Sequence, residues 1–472
     1  MKLTPAIVEV EVTALASGGD GVARDPGGRV VFVPLTAPGD RVRVKLVEAK
    51  PSFARGEVVE VVSPGAARVS PTCPEVARGC GGCQWQQVAR PEQLRAKQRI
   101  VASALRKLAG LVVHPIADPC TPLGWRRRAR FHVDEGRVGL YARSSHRVLP
   151  LAHCPQLEPA LDAALAVVSQ ARPPDGEVSM LLAHDGRIVV GHDRMWPAAG
   201  QLIGRAGIVG AMTGPAVWGQ WLVETEPGLA NGPHDFAQAS AAGNAALIAL
   251  TRAALGAPPA PANAPAVVRG PSAGRARRDS YVELTSRIQV ASARTARSYT
   301  PLHDGPPSRP TPVPTRPHDT GYSVAWVGDS IVRVQAEGEP YQLVELYAGH
   351  GNFTRAFAAD GWDLVASDVV EPHVMPFGVR FDVGATPEVL ATLRGPVEAV
   401  VLDPPRTGAI DAIDGIVALS PKRIVYVSCD PATLARDANK LVAAGYRATE
   451  AWPIDLMPQT AHVEVVLAFV KA

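Results

Sequence analysis

Three observations predict an α/β chain that begins with a small β-barrel, continues through a mixed central domain and ends in a Rossmann-like domain. Residues 7–62 alternate apolar and polar side chains in the runs VEVEVTALA, RVVFVPL, DRVRVKLVEA and ARGEVVEVVS, separated by GGDG, DPGG and APGD. A period of two is the mark of half-buried strands, and the Gly, Asp and Pro clusters supply their turns. Further on, YQLVELYAGHGNFTRAFAADGWDLVASD gives strand, glycine-rich turn, helix and strand, the unit of an open parallel sheet. The length, 472 residues, exceeds what one hydrophobic core organises, so two or three domains are expected.

Composition places the boundaries. Residues 1–63 form the barrel, whose arginines and lysines are interleaved with acids. Residues 64–255 form the central domain, with a cysteine cluster in CPEVARGCGGCQWQQ and a helix over 91–108. That helix carries Leu94, Ile100, Val101, Leu105 and Leu108 as an apolar face able to pack on the C-terminal domain. WRRRARFHV, RVGLYAR and RVLPLAHC then read as antiparallel strands bearing basic residues. Residues 256–318 hold twelve prolines and, from Arg269 to Arg297, seven arginines, with few periodic apolar positions, which marks a linker or insertion. Residues 319–472 return to the α/β pattern.

Several classes are excluded on composition. The opening MKLTPAIVEVEV has neither the basic start nor the apolar core of a signal peptide, so a cytoplasmic protein is expected. Residues 206–223 are charge-free and long enough to span a bilayer, but Gly207, Gly210, Gly214, Pro215 and Gly219 argue against a membrane helix. Six cysteines without an export signal point to metal ligands or catalytic groups rather than disulfides. The net charge of +3 is unremarkable, yet residues 90–130 hold ten Lys or Arg against Glu92 and Asp118 alone, a local excess suited to phosphate contacts.

The chemistry-bearing motifs sit at predicted strand ends. In VELYAGHGNF the strand stops at Gly349 and Gly351, which let backbone approach a ligand closely. The run is neither GxGxxG nor a phosphate loop. Asp368 ends the next strand, placed to accept bonds from ribose hydroxyls, and together turn and acid suggest S-adenosylmethionine. A third strand runs into Asp403 in LDPPRTG, and a fourth, in VYVSCDPATLARD, ends on Cys429 before a helix begun by Asp430 and Pro431. Ligands of open α/β sheets lie at such carboxyl ends. The spacing C-x6-C-x2-C with a distant fourth cysteine supplies thiolates enough for a [4Fe–4S] centre or for zinc.

Taken in order, the barrel, CPEVARGCGGCQWQQ, DFAQAS, ELYAGHGNF, LDPPRTG, VSCDPATLARD and DLMPQTAHVEVV resemble the RNA uracil-C5 methyltransferases. The likeness is to the 23S ribosomal RNA branch with an N-terminal TRAM barrel and an iron-sulfur cluster, and it runs nearly end to end. It implies a Rossmann-like S-adenosylmethionine-dependent methyltransferase domain with Cys429 as nucleophile and Glu464 as the base for the C5 proton. It implies cofactor positions at Gln238, Tyr347, Asn352, Asp368, Asp382 and Asp403, and cluster ligands at Cys73, Cys80, Cys83 and Cys154, leaving Cys120 spare. Ser240 stands where the family has Asn, and Asp368 where Glu is commoner. The chemistry accounts for these types, since uracil C5 becomes nucleophilic only after a thiolate adds to C6. Arg406 or a backbone N–H could then stabilise the enolate oxygen.

Trp85, Trp125, Arg126, Arg127, Arg128, Arg130 and His132 mix rings and charge in a manner suited to RNA, and a monomer without membrane contact is expected. Two features depart from the family pattern. One is the 256–318 segment. The other is a shortened helix in VVEPHVMPFGV, where Pro372 and Pro376 disfavour helix and alter the adenine wall. Transfer RNA is the alternative substrate, and a non-catalytic RNA-binding or assembly protein with a decayed methyltransferase domain is the alternative class. Intact VSCDP and HVEVV oppose the latter.

Overall fold

The computed structural model describes residues 7–259, 323–327, 330–334 and 342–472. The Pro/Arg-rich segment therefore lies outside the described residues beyond position 259. Within the unit formed by residues 259–339, Ser323–Val327 and Ser330–Val334 pair as an antiparallel hairpin. The remainder, residues 1–258 and 340–472, forms one unit.

Its N-terminal strands close into a barrel in the order Ile7–Leu15, Gly21–Arg24, Val30–Val33, Phe53–Ser63 and Arg41–Ala49. Alternation sends Val10, Val12, Val31, Val33, Val42 and Val44 inward. Outward-facing charges pair across strands, Arg41 with Glu9 at 2.6 Å and Arg43 with Glu60 at 2.9 Å. Trp85 anchors the barrel to its neighbours: fully buried, it packs with Leu15, Ala37, Val88, Ala96 and Ala461 and donates from Nε1 to the Gly19 carbonyl at 2.9 Å.

The central sheet has seven strands, ordered Ala216–Gly219, Ile208–Thr213, Ile188–His192, Gly176–Leu182, Arg128–Asp134, Arg137–Tyr141 and Val148–Pro150. The last three are the antiparallel strands expected from their sequence. Helix Pro159–Gln170 joins the same core through Leu161, Ala164, Leu165 and Val168, a helical stripe. The charge-free run 206–223 is mostly strand, and among the described residues no helix is long and apolar enough to cross a membrane.

The C-terminal sheet has eight strands, ordered Arg380–Val383, Leu364–Asp368, Leu343–Leu346, Ala399–Leu402, Arg423–Ser428, Glu464–Lys471, Tyr446–Ile454 and Val112–Val113. The first five run parallel, and strand order reverses between Leu343–Leu346 and Ala399–Leu402. That switch point opens a crevice at the strand ends. The helix expected over 91–108 is Arg90–Leu105, and its Val101 and Leu105 share a core with Leu434, Ala438 and Leu441 of helix Pro431–Ala443. Between Asp368 and Arg380 no helix forms, in keeping with Pro372 and Pro376.

Candidate active site

Register brings the predicted strand ends together. Leu346 lies opposite both Ser367 and Leu402, so Tyr347, Asp368 and Asp403 follow at one level of the sheet. The turn after Leu343–Leu346 runs through left-handed backbone, φ 59° at Tyr347, 56° at Gly349 and 91° at Gly351. A Cβ at Gly349 would meet nothing within 4 Å, so this glycine borders open space. Asp368 steadies the turn: Oδ2 accepts from the Gly349 amide at 2.8 Å and Oδ1 from the Val370 amide at 3.1 Å. Asp382, on the edge strand, has its carboxylate bridged by Arg380 at 2.7 and 2.6 Å.

Asn352 exchanges reciprocal amide hydrogen bonds with Asn244, at 2.9 and 2.8 Å, and Asn244 also donates to Glu226. Asn244 belongs to helix Ala241–Leu255, capped by Ser240, whose Oγ accepts from the Gly243 amide. Gln238 lies two residues before that cap, and its carbonyl accepts from Arg127 Nε at 3.1 Å. Arg127, 2 % exposed, also bonds Glu226 at 2.7 Å, so it pins the DFAQAS segment rather than facing solvent. Asn244 was not anticipated here, and Arg127 was expected to face RNA instead; both lie far from Asn352 in sequence.

Cys429 follows the strand Arg423–Ser428, in which Ser428 pairs with Val465 of the antiparallel Glu464–Lys471. Extending that register by one residue sets Cys429 across from Glu464, and opposed residues project to one face. Asp430 caps the next helix, accepting from the Ala432 and Thr433 amides at 2.9 and 3.0 Å. Fully buried Asp437 receives Tyr426 Oη and the Ala409 amide, each at 2.7 Å, which ties the LDPPRTG loop to the strand before Cys429.

Electrostatics couple this cluster. Burial, with the nearby Glu464 and Asp403, pushes the Cys429 thiol up to about 11, while the adjoining Arg406 guanidinium opposes the rise. Burial and Asp403 lift Glu464 to about 8, and burial lifts Asp403 to about 7. Arg406 also approaches the His462 ring at 3.3 Å. Behind Glu464, wholly buried Lys97 donates to Asp455 at 2.6 Å, a pair hidden in sequence because a helical Lys reads as solvent-facing.

Cys73, Cys80, Cys83 and Cys154 line one cavity of roughly 100 Å³ together with Arg126, Gln86 and Gln156. Burial and the neighbouring Cys154 and Cys80 raise Cys83 to about 12. The two glycines of the CGGC run are required there: a Cβ on Gly81 would lie 2.8 Å from the Tyr141 carbonyl and one on Gly82 2.9 Å from Leu140. Cys120 stands apart, its sulfur 3.1 Å from Ser240 Oγ. Trp85 and Trp125 are 0 and 4 % exposed, which with Arg127 removes three residues from the set considered for RNA. Arg128 lies over the exposed Phe236 ring, and exposed Arg130 sits 3.4 Å from Glu177.

Residues 6–59 match the TRAM domain family, and residues 394–472 match the family described as tRNA (Uracil-5-)-methyltransferase. An uncharacterized RNA methyltransferase of Gloeobacter violaceus is 31% identical, across 97% of this chain and 95% of its own. One of Thermosynechococcus vestitus is 30% identical, across 98% and 97%. The 23S rRNA (uracil(1939)-C(5))-methyltransferase of Alkalilimnicola ehrlichii is 29% identical, across 98% and 96%. In fold, the chain resembles the Pyrococcus abyssi tRNA (uracil-54, C5)-methyltransferase crystallised with S-adenosyl-L-homocysteine, at TM-score 0.62 and 17% identity, across 98% and 100%.

Proposed function

The chain belongs to the RNA uracil-C5 methyltransferase family, and from that membership we propose that its target is a uridine of 23S ribosomal RNA, methylated through a covalent bond from Cys429 to uracil C6. It is an S-adenosylmethionine-dependent enzyme that places a methyl group on uridine C5. The observation carrying the mechanism is the register that sets Cys429 across from Glu464 beside the crevice. Full-length likeness to a 23S enzyme and the N-terminal barrel favour ribosomal RNA.

Cys429 loses its thiol proton to solvent, its sulfur forms a bond to C6, and the C5–C6 π pair moves toward the O4 enolate, whose charge Arg406, which adjoins Cys429, or a backbone N–H offsets. S-adenosylmethionine, when bound, supplies the electrophilic methyl that C5 takes. Glu464 then accepts the C5 proton; the C–H electrons restore the double bond and expel Cys429 as thiolate. Because burial keeps Cys429 a thiol at rest, substrate entry and the Arg406 charge must promote its ionisation. Tyr347, Asn352, Asp368, Asp403, Gln238 and Asp382 are proposed to hold the cofactor. Folded RNA hides C5 and C6, so the target base is flipped or taken from a loop. The enzyme is read as a cytoplasmic monomer.

Cys73, Cys80, Cys83 and Cys154 are proposed to hold a [4Fe–4S] cluster that organises the fold and takes no part in methyl transfer. The family likeness and the shared cavity of the four thiols support this reading, and zinc is the alternative occupant of the same sulfurs.

The test incubates purified protein with labelled S-adenosylmethionine and total RNA from a strain lacking it, then maps 5-methyluridine. Label in 23S RNA is expected. Label confined to transfer RNA overturns the substrate assignment. Anaerobic preparation should give brown protein with iron and sulfide; a colourless zinc protein overturns the cluster.

A further inference from the structure

Asp235, His350 and His373 meet beside the glycine turn, and nothing in the methyl-transfer scheme uses them. They are the one group among the described residues in which three or more metal-ligand atoms lie within 4.8 Å of one another. Asp235 Oδ2 accepts from His373 Nε2 at 2.8 Å, and Oδ1 faces His350 Nε2 at 3.4 Å. The two imidazoles stack at 4.6 Å and 11°, presenting both Nε2 atoms to one carboxylate. The Gly232 amide donates to Asp235 Oδ2 at 2.6 Å and orients it. His350 is 7 % exposed, and its Nδ1 has no hydrogen-bond partner.

The three residues come from three separate segments: the loop leading to Gln238, the turn between Gly349 and Gly351, and the helix-free stretch after Asp368. That stretch exposes Val369, Val370, Val374 and Phe377, so apolar burial does little to hold it. Yet His373 turns onto the edge of Trp221, with ring centroids 5.4 Å apart. Something other than a hydrophobic core must fix its path.

We propose that Asp235, His350 and His373 bind one divalent transition ion of the zinc type, which staples these three segments together around the crevice. Two imidazoles and one carboxylate form a three-ligand set with a fourth position for water. Nitrogen ligands select borderline ions over magnesium or calcium, which take oxygen. Zinc with bonds of about 2.05 Å puts neighbouring ligand atoms about 3.3 Å apart. The O···N separations of 2.8 and 3.4 Å already bracket that span. The site stands whether or not Cys429 is the nucleophile.

The experiment treats full-length protein with chelator, adds zinc chloride, removes excess by gel filtration, and counts metal per chain by mass spectrometry. Wild type should retain one equivalent more than Asp235→Asn or His373→Gln, whatever the thiol site carries, because that site is common to all three proteins. Since His373 is exposed, its variant should match the wild-type circular dichroism spectrum and melting temperature in chelator. Zinc should slow amide hydrogen exchange across residues 369–379 in wild type and not in His373→Gln, whereas magnesium should leave both unchanged. Equal zinc content in wild type and variants, with no change in exchange, would mean a purely hydrogen-bonded cluster and would sink the proposal. Protection by magnesium equal to that by zinc would overturn the assigned ion class.

Discussion

Cys429 and Glu464 divide one reaction into two separable failures. Cys429→Ala removes the C6 adduct and should lower single-turnover methylation at least about 10³-fold, because C5 is then never activated. Glu464→Gln keeps the nucleophile but cannot take the C5 proton, so the enzyme should accumulate as a denaturation-resistant protein–RNA adduct on gels. If Glu464→Gln turns over normally, the base lies elsewhere. Protonation sets the pH profile: Glu464, lifted to about 8, is mostly protonated at neutrality and must be ionised to act. Since Glu464 acts after methyl transfer, decay of the methylated Cys429 adduct should climb about tenfold per pH unit below pH 8 and flatten above it. A rate falling from pH 6 to 8 would contradict that role.

Secondary-structure elements position these residues through buried polar contacts. Lys97 joins helix Arg90–Leu105 to Asp455, just beyond the strand Tyr446–Ile454 that flanks Glu464. Lys97→Met leaves buried Asp455 with Arg90 and the Met457 amide and should cost about 3 kcal/mol, read as a lower denaturation midpoint. Glu345, buried in the strand Leu343–Leu346, is pushed by that burial from 4.5 up to about 8. The folded chain holds this proton longer than the unfolded one, so stability is full below 4.5 and falls as pH rises to about 8. The loss there is on the order of 3–5 kcal/mol. Glu345→Gln should reduce the slope of melting temperature against pH between 5 and 8, to which Asp403 and Glu464 also contribute; an unchanged slope would show that Glu345 does not titrate there. Strands and glycine turns were legible in the sequence because period-two alternation and Gly349, Asp368, Asp403 and Cys429 are local signals. Illegible were contacts between distant segments: Val112–Val113 is too short to announce a strand, yet it pairs with Glu450 and Ala451. Asn244 on Asn352, Lys97 on Asp455, and Asp235 between two histidines likewise exist only after folding.

Charge behaves differently across the whole molecule than along the chain. The ten basic residues between positions 90 and 130 look like a phosphate-binding stripe. Folding pairs most of them with acids. Arg90 pairs with Asp118 and Asp455, Arg95 and Arg99 with Glu92, Lys97 with Asp455, Arg127 with Glu226 and Arg130 with Glu177. Arg126 lines the thiol cavity and Arg128 covers Phe236; Arg95, Arg99 and Arg130 stay exposed within their pairs, and Arg106 and Lys107 are exposed at the end of the helix. The barrel is likewise neutralised on its surface by Arg41–Glu9 and Arg43–Glu60. Where these pairs hold, few cations of this stretch remain to displace counterions, so its share of RNA binding should depend weakly on salt. With two to four phosphates engaged, log K against log salt should slope about −1.5 to −3. Fluorescence anisotropy with a labelled 23S fragment across a salt series would give this slope. A value steeper than about −5 would show that these ion pairs open on RNA or that cations outside the stretch engage phosphate.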